Sequence, residues 1–209
     1  NLVTINRLGE SVTGKANVDE MALSFQRIIE QMSVRKIQGS ISVKLTQLGL
    51  GWQRELCKAL ALNVARRADQ VGNTLEIDME GSKYTQATIE IYKDILKHFP
   101  GTRIAIQAYL HRTEEDLGML RPLGARVRLV KGAYREPRQT AIQSSRELTR
   151  KYARLIAWLL EEFDQPVIAT HNDDLQSHAL ECIRHQKLPP DRYKFQFIYG
   201  IRRDQVKQR

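Results

Sequence analysis

Seven short apolar runs of strand character are separated by six longer stretches with helical periodicity, and this recurrence constrains the fold more than any other feature. The strand-like runs are residues 2–6, 40–45, 74–79, 103–109, 126–131, 167–171 and 193–198. The helical stretches are 18–32, 52–71, 85–98, 113–123, 138–163 and 174–185. Parallel strands need a crossover of about a dozen residues or more, and an alternation of this kind predicts a parallel sheet with helical crossovers. In 138–163, Leu148, Tyr152, Leu155, Leu159 and Leu160 recur at helical spacing and give one apolar stripe for packing on a sheet. Gly72, Pro100-Gly101, Pro122, Gly124, Pro166 and Pro189-Pro190 fall between the runs, where turns need them. With no low-complexity linker and no break in composition, a single domain over residues 1–209 is expected. Closed into a ring, the alternation is a (βα)8 barrel; left open, it is a doubly wound sheet. No GxGxxG follows the first run, which disfavours a dinucleotide-binding sheet.

Alternation inside the strands narrows the choice. Ser40, Ser42 and Lys44 share one face, opposite Ile41, Val43 and Leu45. Thr74, Glu76 and Asp78 oppose Leu75, Ile77 and Met79, and Arg126 and Arg128 oppose Val127 and Leu129. The apolar face is expected against helices and the polar face inside a barrel. That polar face carries Lys44, Asp78, Gln107, Arg128, Thr170 and Gln196, each near the carboxyl end of its strand. In a barrel those ends share the mouth where catalytic groups sit. Uncompensated cations, carboxylates and amides are costly in a core, so six at one level read as a ligand site. The competing reading is a self-satisfied polar network filling the barrel.

Charge and cysteine usage add bounds. Thirty-three basic against twenty-four acidic residues leave a formal charge of +9. The basic residues are spread over several helices without a nucleic-acid motif, so no nucleic-acid partner is expected. No stretch is long enough to span a bilayer, and the first residues do not resemble a signal peptide. Cys57 and Cys182 lie in helical stretches without metal-ligand spacing and read as small buried thiols of a reducing compartment, the cytoplasm or an organelle matrix. His111, followed by helix-start residues, reads as part of a cap, and no metal is expected.

Residues 127–134, Val-Arg-Leu-Val-Lys-Gly-Ala-Tyr, concentrate the chemistry. A strand arginine, a neighbouring lysine and a glycine that lets backbone approach a ligand suit an anionic or electron-rich cofactor. Lys44 or Lys131 at a strand end would equally serve Schiff-base chemistry in an aldolase-type barrel, the second enzymatic reading.

Six motifs, Ser-Ile-Ser-Val-Lys-Leu (40–45), Ile-Asp-Met-Glu (77–80), Ile-Gln-Ala-Tyr (106–109), Arg-Leu-Val-Lys-Gly-Ala-Tyr (128–134), Ala-Thr-His-Asn (169–172) and Phe-Gln-Phe-Ile-Tyr-Gly (195–200), in this order resemble the flavin-dependent proline dehydrogenases. Leu-Gly-Glu at 8–10 is similar as well. The resemblance implies an α/β fold, a distorted (βα)8 TIM-type barrel with FAD at its mouth. It implies oxidation of L-proline to Δ1-pyrroline-5-carboxylate, the first step of proline catabolism to glutamate. Small cyclic analogues would also bind, and a quinone would accept the electrons through peripheral contact with the inner membrane.

The resemblance also assigns roles. Asp78 and Arg128 would be catalytic, with Arg128 near the flavin N5. Met79, Gln107, Arg128, Val130, Lys131, Gly132, Ala133, Thr170, His171, Asn172 and Gln196 would hold the cofactor. Lys44 would meet the proline carboxylate, Tyr134 and Ile198 would complete the substrate site, and Glu10 would act as a gate. The family's last strand, and a last helix with an Arg-Arg carboxylate clamp, are not evident. Arg202-Arg203 follow the seventh run instead and are not assigned that role. Asn6 stands where relatives often carry an acid, and residues 144–146 only loosely match a phosphate-contacting pair. An inactive flavin-binding barrel lacking the clamp is therefore the reading from outside enzymology.

Overall fold

A computed structural model describes residues 2–201. The Arg202-Arg203 pair lies outside the described residues. Every strand pairing given by register is parallel, and the seven strands follow one another in chain order. The chain forms two compact units, Asn1–Ile104 and Ala105–Arg209.

The first unit comprises β1 (Val3–Asn6), α1 (Lys15–Val34), β2 (Gly39–Lys44), a 3-10 turn (Leu45–Leu48), α2 (Arg54–Gln70), β3 (Thr74–Asp78), α3 (Ser82–Leu96) and the start of β4 (Arg103–Gln107). Helix α1 buries Val18, Ala22, Phe25, Ile29 and Met32, a run of i, i+3 and i+4 steps that makes one face apolar. Each fully buried large side chain of this kind contributes roughly 1.5–3 kcal/mol. Strands β2 and β3 are buried along almost their whole length, as expected for a parallel sheet covered on both faces. Gly39 opens β2 because a Cβ there would lie 1.8 Å from the Val3 carbonyl oxygen of β1.

The polar face predicted for these strands is partly a cross-strand network. Thr4 and Ser40 join through their hydroxyls at 2.8 Å. Arg103 donates to Glu76 at 3.0 Å, and both side chains are at most 6% exposed. In this lower layer the competing reading holds: the polar groups satisfy one another. Lys44 and Asp78, in register one polar step further on, mark the strand ends.

The second unit holds the rest of β4, α4 (Thr113–Leu120), a 3-10 turn (Arg121–Leu123), β5 (Arg126–Val130), α5 (Ser145–Glu162), β6 (Val167–Ile168), α6 (Asp173–Gln186) and β7 (Lys194–Phe195). Helix α5 buries the predicted stripe, Leu148, Tyr152, Leu155, Leu159 and Leu160. Its start differs from the expected residue 138. Residues 138–143 fold back on the chain after β4, where Ile142 N donates to the Tyr109 carbonyl at 2.8 Å and His111 N to the Thr140 carbonyl at 3.0 Å. Ser144 then caps the helix by accepting from Glu147 N. Strands β6 and β7 are shorter than the predicted 167–171 and 193–198, although Ala169 N and Gln196 N still donate to neighbouring strand carbonyls. Cys57 is fully buried as expected; Cys182 is only half-buried, near His178, which corrects its reading as a buried thiol.

Candidate active site

The carboxyl ends of the first unit's strands carry two predicted residues with clear partners. Lys44, the last residue of β2, points its ammonium at Glu10, 3.8 Å from Oε2. Asp78, the last residue of β3, accepts from the Asn6 amide at 3.0 Å. Neighbouring Met79 is buried. The loop bearing Glu10 leaves β1 and is tied to the 3-10 turn after Lys44. Gln47 donates to the carbonyls of Arg7 and Gly9 at 2.6 and 3.0 Å while its oxygen accepts from Lys44 N at 2.9 Å. Ser11 N donates to the Thr46 hydroxyl at 2.8 Å, and Val12 N to the Thr46 carbonyl at 3.0 Å.

Behind Thr46 stands Glu80, 2% exposed. Its carboxylate accepts from Thr46 N at 3.0 Å and from the Thr46 hydroxyl. Burial pushes the Glu80 carboxyl above its ordinary range; the two Thr46 hydrogen bonds oppose that shift, the charge of Glu10 adds to it and Lys44 counters it. Glu80 also helps push the nearby Cys57 thiol up to about 12, after burial itself, so Cys57 is an inert packing residue that donates to the Leu45 carbonyl.

In the second unit, the chain after β4 runs beside the chain after β5. Ala108 N donates to the Val130 carbonyl at 2.8 Å and Tyr109 N to the Lys131 carbonyl at 3.1 Å. Gln107 is buried at the end of β4, with its carbonyl accepting from the Thr113 hydroxyl at 2.6 Å. Arg128 and Val130 are half-buried on β5, Lys131 and Ala133 are exposed, and Tyr134 is half-buried. Gly132 adopts φ +111, and its α-carbon lies against the Tyr109 ring. Burial first, and the Glu136 charge second, push the Tyr109 hydroxyl up to about 12. Tyr152 of α5 donates to the carbonyls of Leu129 (2.7 Å) and Ala169 (3.2 Å), lacing the ends of β5 and β6 together. Burial raises its hydroxyl pKa well above the ordinary value, leaving it a permanent donor.

Beyond β6, Thr170 accepts from Asn172 N at 3.2 Å, and the Asn172 side chain caps α6 by accepting from Leu175 N at 2.9 Å. His171 Nε2 accepts from Ile198 N at 3.2 Å, which places the ring proton on Nδ1. That Nδ1 is buried and has no hydrogen-bond partner among the described residues. The His171 ring packs 5.6 Å from Phe197, and Gln196 follows β7 directly.

Within each unit, the structure thus joins Lys44 to Glu10, Gln107–Tyr109 to the stretch after Val130, and His171 to Ile198. It gives Asn172 a capping duty and Gly132 a packing reason that the sequence did not foretell. Glu80, Thr46 and Gln47 were missed. Glu80 continues the two-residue alternation of Glu76 and Asp78, and that spacing was the available signal. No helix among the described residues is long and apolar enough to cross a membrane, and among them no group of three or more His, Cys, Asp or Glu side chains is placed to hold a metal.

The donor set fits a flavin-type cofactor: a half-buried guanidinium (Arg128), a buried amide (Gln107), an exposed ammonium (Lys131) and the His171 Nδ1–H, without an acceptor among the described residues. The family model described as proline dehydrogenase matches residues 2–208. Proline dehydrogenase 1 of Bacillus subtilis (strain 168) is 30% identical over 205 residues, covering 98% of this chain and 68% of that protein. Proline dehydrogenase of Deinococcus radiodurans is 30% identical over 210 residues, 98% of this chain and 67% of that protein. Among solved structures, proline utilization A from Bdellovibrio bacteriovorus inactivated by N-propargylglycine superposes with a TM-score of 0.86 at 21% identity, over 95% of this chain. Proline utilization A with proline bound in remote sites gives a TM-score of 0.84 at 21% identity, over 99% of this chain. The chain spans about a quarter of the length of those two solved chains, 26% and 24%. The likeness establishes the fold as a distorted (βα)8 barrel, seven of whose strands lie in the described residues.

Proposed function

The chain belongs to the proline dehydrogenase family, and from that premise we propose that residues 1–209 form one catalytic domain that oxidises L-proline to Δ1-pyrroline-5-carboxylate with FAD as cofactor and a quinone as electron acceptor. The observation that carries this reading is positional. Lys44, Asp78 and Gln107 are the last residues of β2, β3 and β4; Arg128 lies two residues before the end of β5, and Thr170 and Gln196 follow β6 and β7 closely. Carboxyl ends of strands are where this fold builds its chemistry.

Bound flavin would supply the two-electron acceptor that no side chain can provide. Arg128, Gln107, Met79, Val130, Lys131, Gly132, Ala133, Thr170, His171, Asn172 and Gln196 are the residues proposed to hold it. For Asn172 the backbone is the contact proposed, since its side-chain oxygen caps α6. The guanidinium of Arg128 is always charged, and held in place it stabilises negative charge as it develops beside it without reorganisation. His171 offers Nδ1–H as a fixed donor, its tautomer set by Ile198 N.

Lys44 receives the substrate carboxylate, so Glu10, which now occupies the ammonium, must give way to it. Tyr134 and Ile198 flank the substrate ring. Proline loses a hydride from C5, for which bound flavin would be the acceptor, and a proton from its amine, which is released to solvent; Asp78, held by Asn6, has an orienting role in this reading. The ion pair at Lys44 suits anion recognition better than imine formation, which needs an uncharged amine. Electron delivery to a quinone implies peripheral attachment to a membrane surface from the cytoplasmic side.

The test is spectroscopic. The purified protein is expected to carry flavin absorbance that L-proline bleaches under anaerobic conditions and glycine does not. Bound flavin that proline leaves oxidised would overturn the reading.

A further inference from the structure

Thr46 sits at a junction of hydrogen bonds that ties the loop after β1 to a buried carboxylate. Glu80, as a carboxylate, can only accept. It takes both the amide and the hydroxyl proton of Thr46. Having given away its single proton, the Thr46 oxygen must act as acceptor toward Ser11 N, 2.8 Å away. Val12 N reaches the Thr46 carbonyl, and Gln47 holds the carbonyls of Arg7 and Gly9. The loop so gripped is strained: Ser11, which is not a glycine, lies at φ +57, and Gly9 at φ +124. A left-handed non-glycine residue persists only where its surroundings over-determine it. Glu10 is the residue between them, and its carboxylate faces the Lys44 ammonium at 3.8 Å.

We infer that Glu80 is a positioning residue for substrate admission: through Thr46 it holds the strained loop of residues 7–12 so that Glu10 competes with the substrate carboxylate for Lys44. Glu80 touches neither substrate nor cofactor in this scheme. It acts by anchoring a relay, Thr46 hydroxyl to Glu80 and Ser11 amide to Thr46, that decides where Glu10 stands. The inference rests on the proposed role of Lys44 in holding the proline carboxylate.

Glu80→Gln probes the relay with almost no change of volume. The amide oxygen can still accept from Thr46 N, but its NH2 then donates to the Thr46 hydroxyl, whose own proton loses its buried acceptor, so the hydroxyl that accepts from Ser11 N is no longer anchored to residue 80. Thr46→Val removes the same junction by another route and serves if Glu80→Gln folds poorly. Hydrogen exchange at the Ser11 and Val12 amides is expected to quicken at least tenfold in both variants, with core protection in β2 and β3 kept. With Glu10 no longer held at Lys44, KM for proline is expected to fall about two- to fivefold, the range of a partly exposed ion pair, and kcat to stay within about twofold.

Glu10→Gln should lower KM similarly, and the Glu10→Gln/Glu80→Gln double variant should show no further fall, because the two act through one contact. Unchanged exchange at Ser11 and Val12 overturns the relay. A KM effect of Glu80→Gln that persists undiminished in the Glu10→Gln background overturns the route through Glu10. Lys44→Ala separates the two levels: if its KM equals that of the parent while the exchange result stands, the carboxylate role of Lys44 fails and the relay survives only as loop architecture.

Discussion

The ring of Tyr109 fills the space that any side chain at position 132 would need: a Cβ on Gly132 would lie 2.2 Å from Tyr109 Cδ1. Gly132 also sits at φ +111, outside the range that L side chains adopt readily. The glycine of the Lys-Gly-Ala-Tyr stretch thus locks the chain after β5 onto the chain after β4.

Gly132→Ala is expected to destabilise the protein by about 2–4 kcal/mol, combining backbone strain with overpacking. Urea denaturation measures it. Tyr109→Ala in the same background should restore only part of the loss, since the positive φ remains. A loss below about 1 kcal/mol in the single variant would mean that the Tyr109 ring swings aside at little cost.

Arg128→Met should slow flavin reduction by proline roughly 100- to 1000-fold, as expected for removal of a preorganised electrostatic group. Proline affinity should change far less. Rapid-mixing reduction across a range of proline concentrations gives both quantities, and an equal loss in each would remove the role assigned to Arg128.

Asp78→Asn keeps the shape of a side chain that accepts from Asn6 and removes its charge. Turnover is expected to drop at least tenfold. Steady-state kinetics decides; a variant with nearly intact turnover would exclude both an orienting and a proton-accepting role for this carboxylate.

The Glu76–Arg103 pair predicts a stability signature. Both side chains are almost completely buried. Truncating one partner strands the other as an uncompensated charge, so Glu76→Gln should cost about 3–5 kcal/mol. Replacing both residues with methionine should recover most of that loss. Chemical denaturation of the single and double variants checks the pattern.

Glu80 predicts a pH slope whose sign is set by its raised folded pKa. An acid of this kind binds its proton more tightly in the folded state. Its contribution to stability therefore grows as pH falls through the folded pKa and is complete below the unfolded value near 4.5. The stability of the parent relative to Glu80→Gln should rise between neutral pH and about 4.5. A difference that is flat or falls over that window would contradict the burial-raised pKa.

Periodicity made the skeleton readable. The steps of α5 from Leu148 to Leu160, and the alternation of Ser40, Ser42 and Lys44 against Ile41 and Val43, are local patterns, and the elements formed where those patterns stand. The strand ends bearing Lys44, Asp78 and Gln107 were legible for the same reason, because a two-residue repeat fixes which face each side chain takes. The start of α5 was misread: the Ser144 cap was in the sequence, but residues 138–143 are held by pairing with Tyr109 and His111, about thirty positions away.

By itself, then, the sequence determined the βα order, the helix faces and the polar residues at the strand ends, all set by neighbours within four positions along the chain. Tertiary structure alone decided that Glu80 grips Thr46 across 34 positions, that Tyr109 demands glycine at 132, and that Glu76 and Arg103 satisfy each other in the core. Those relationships depend on which backbones come into register. A hydrogen bond or a ring contact forms only once the strands have paired; spacing along the chain gives the face a side chain takes, as for Glu80, but not the partner it meets.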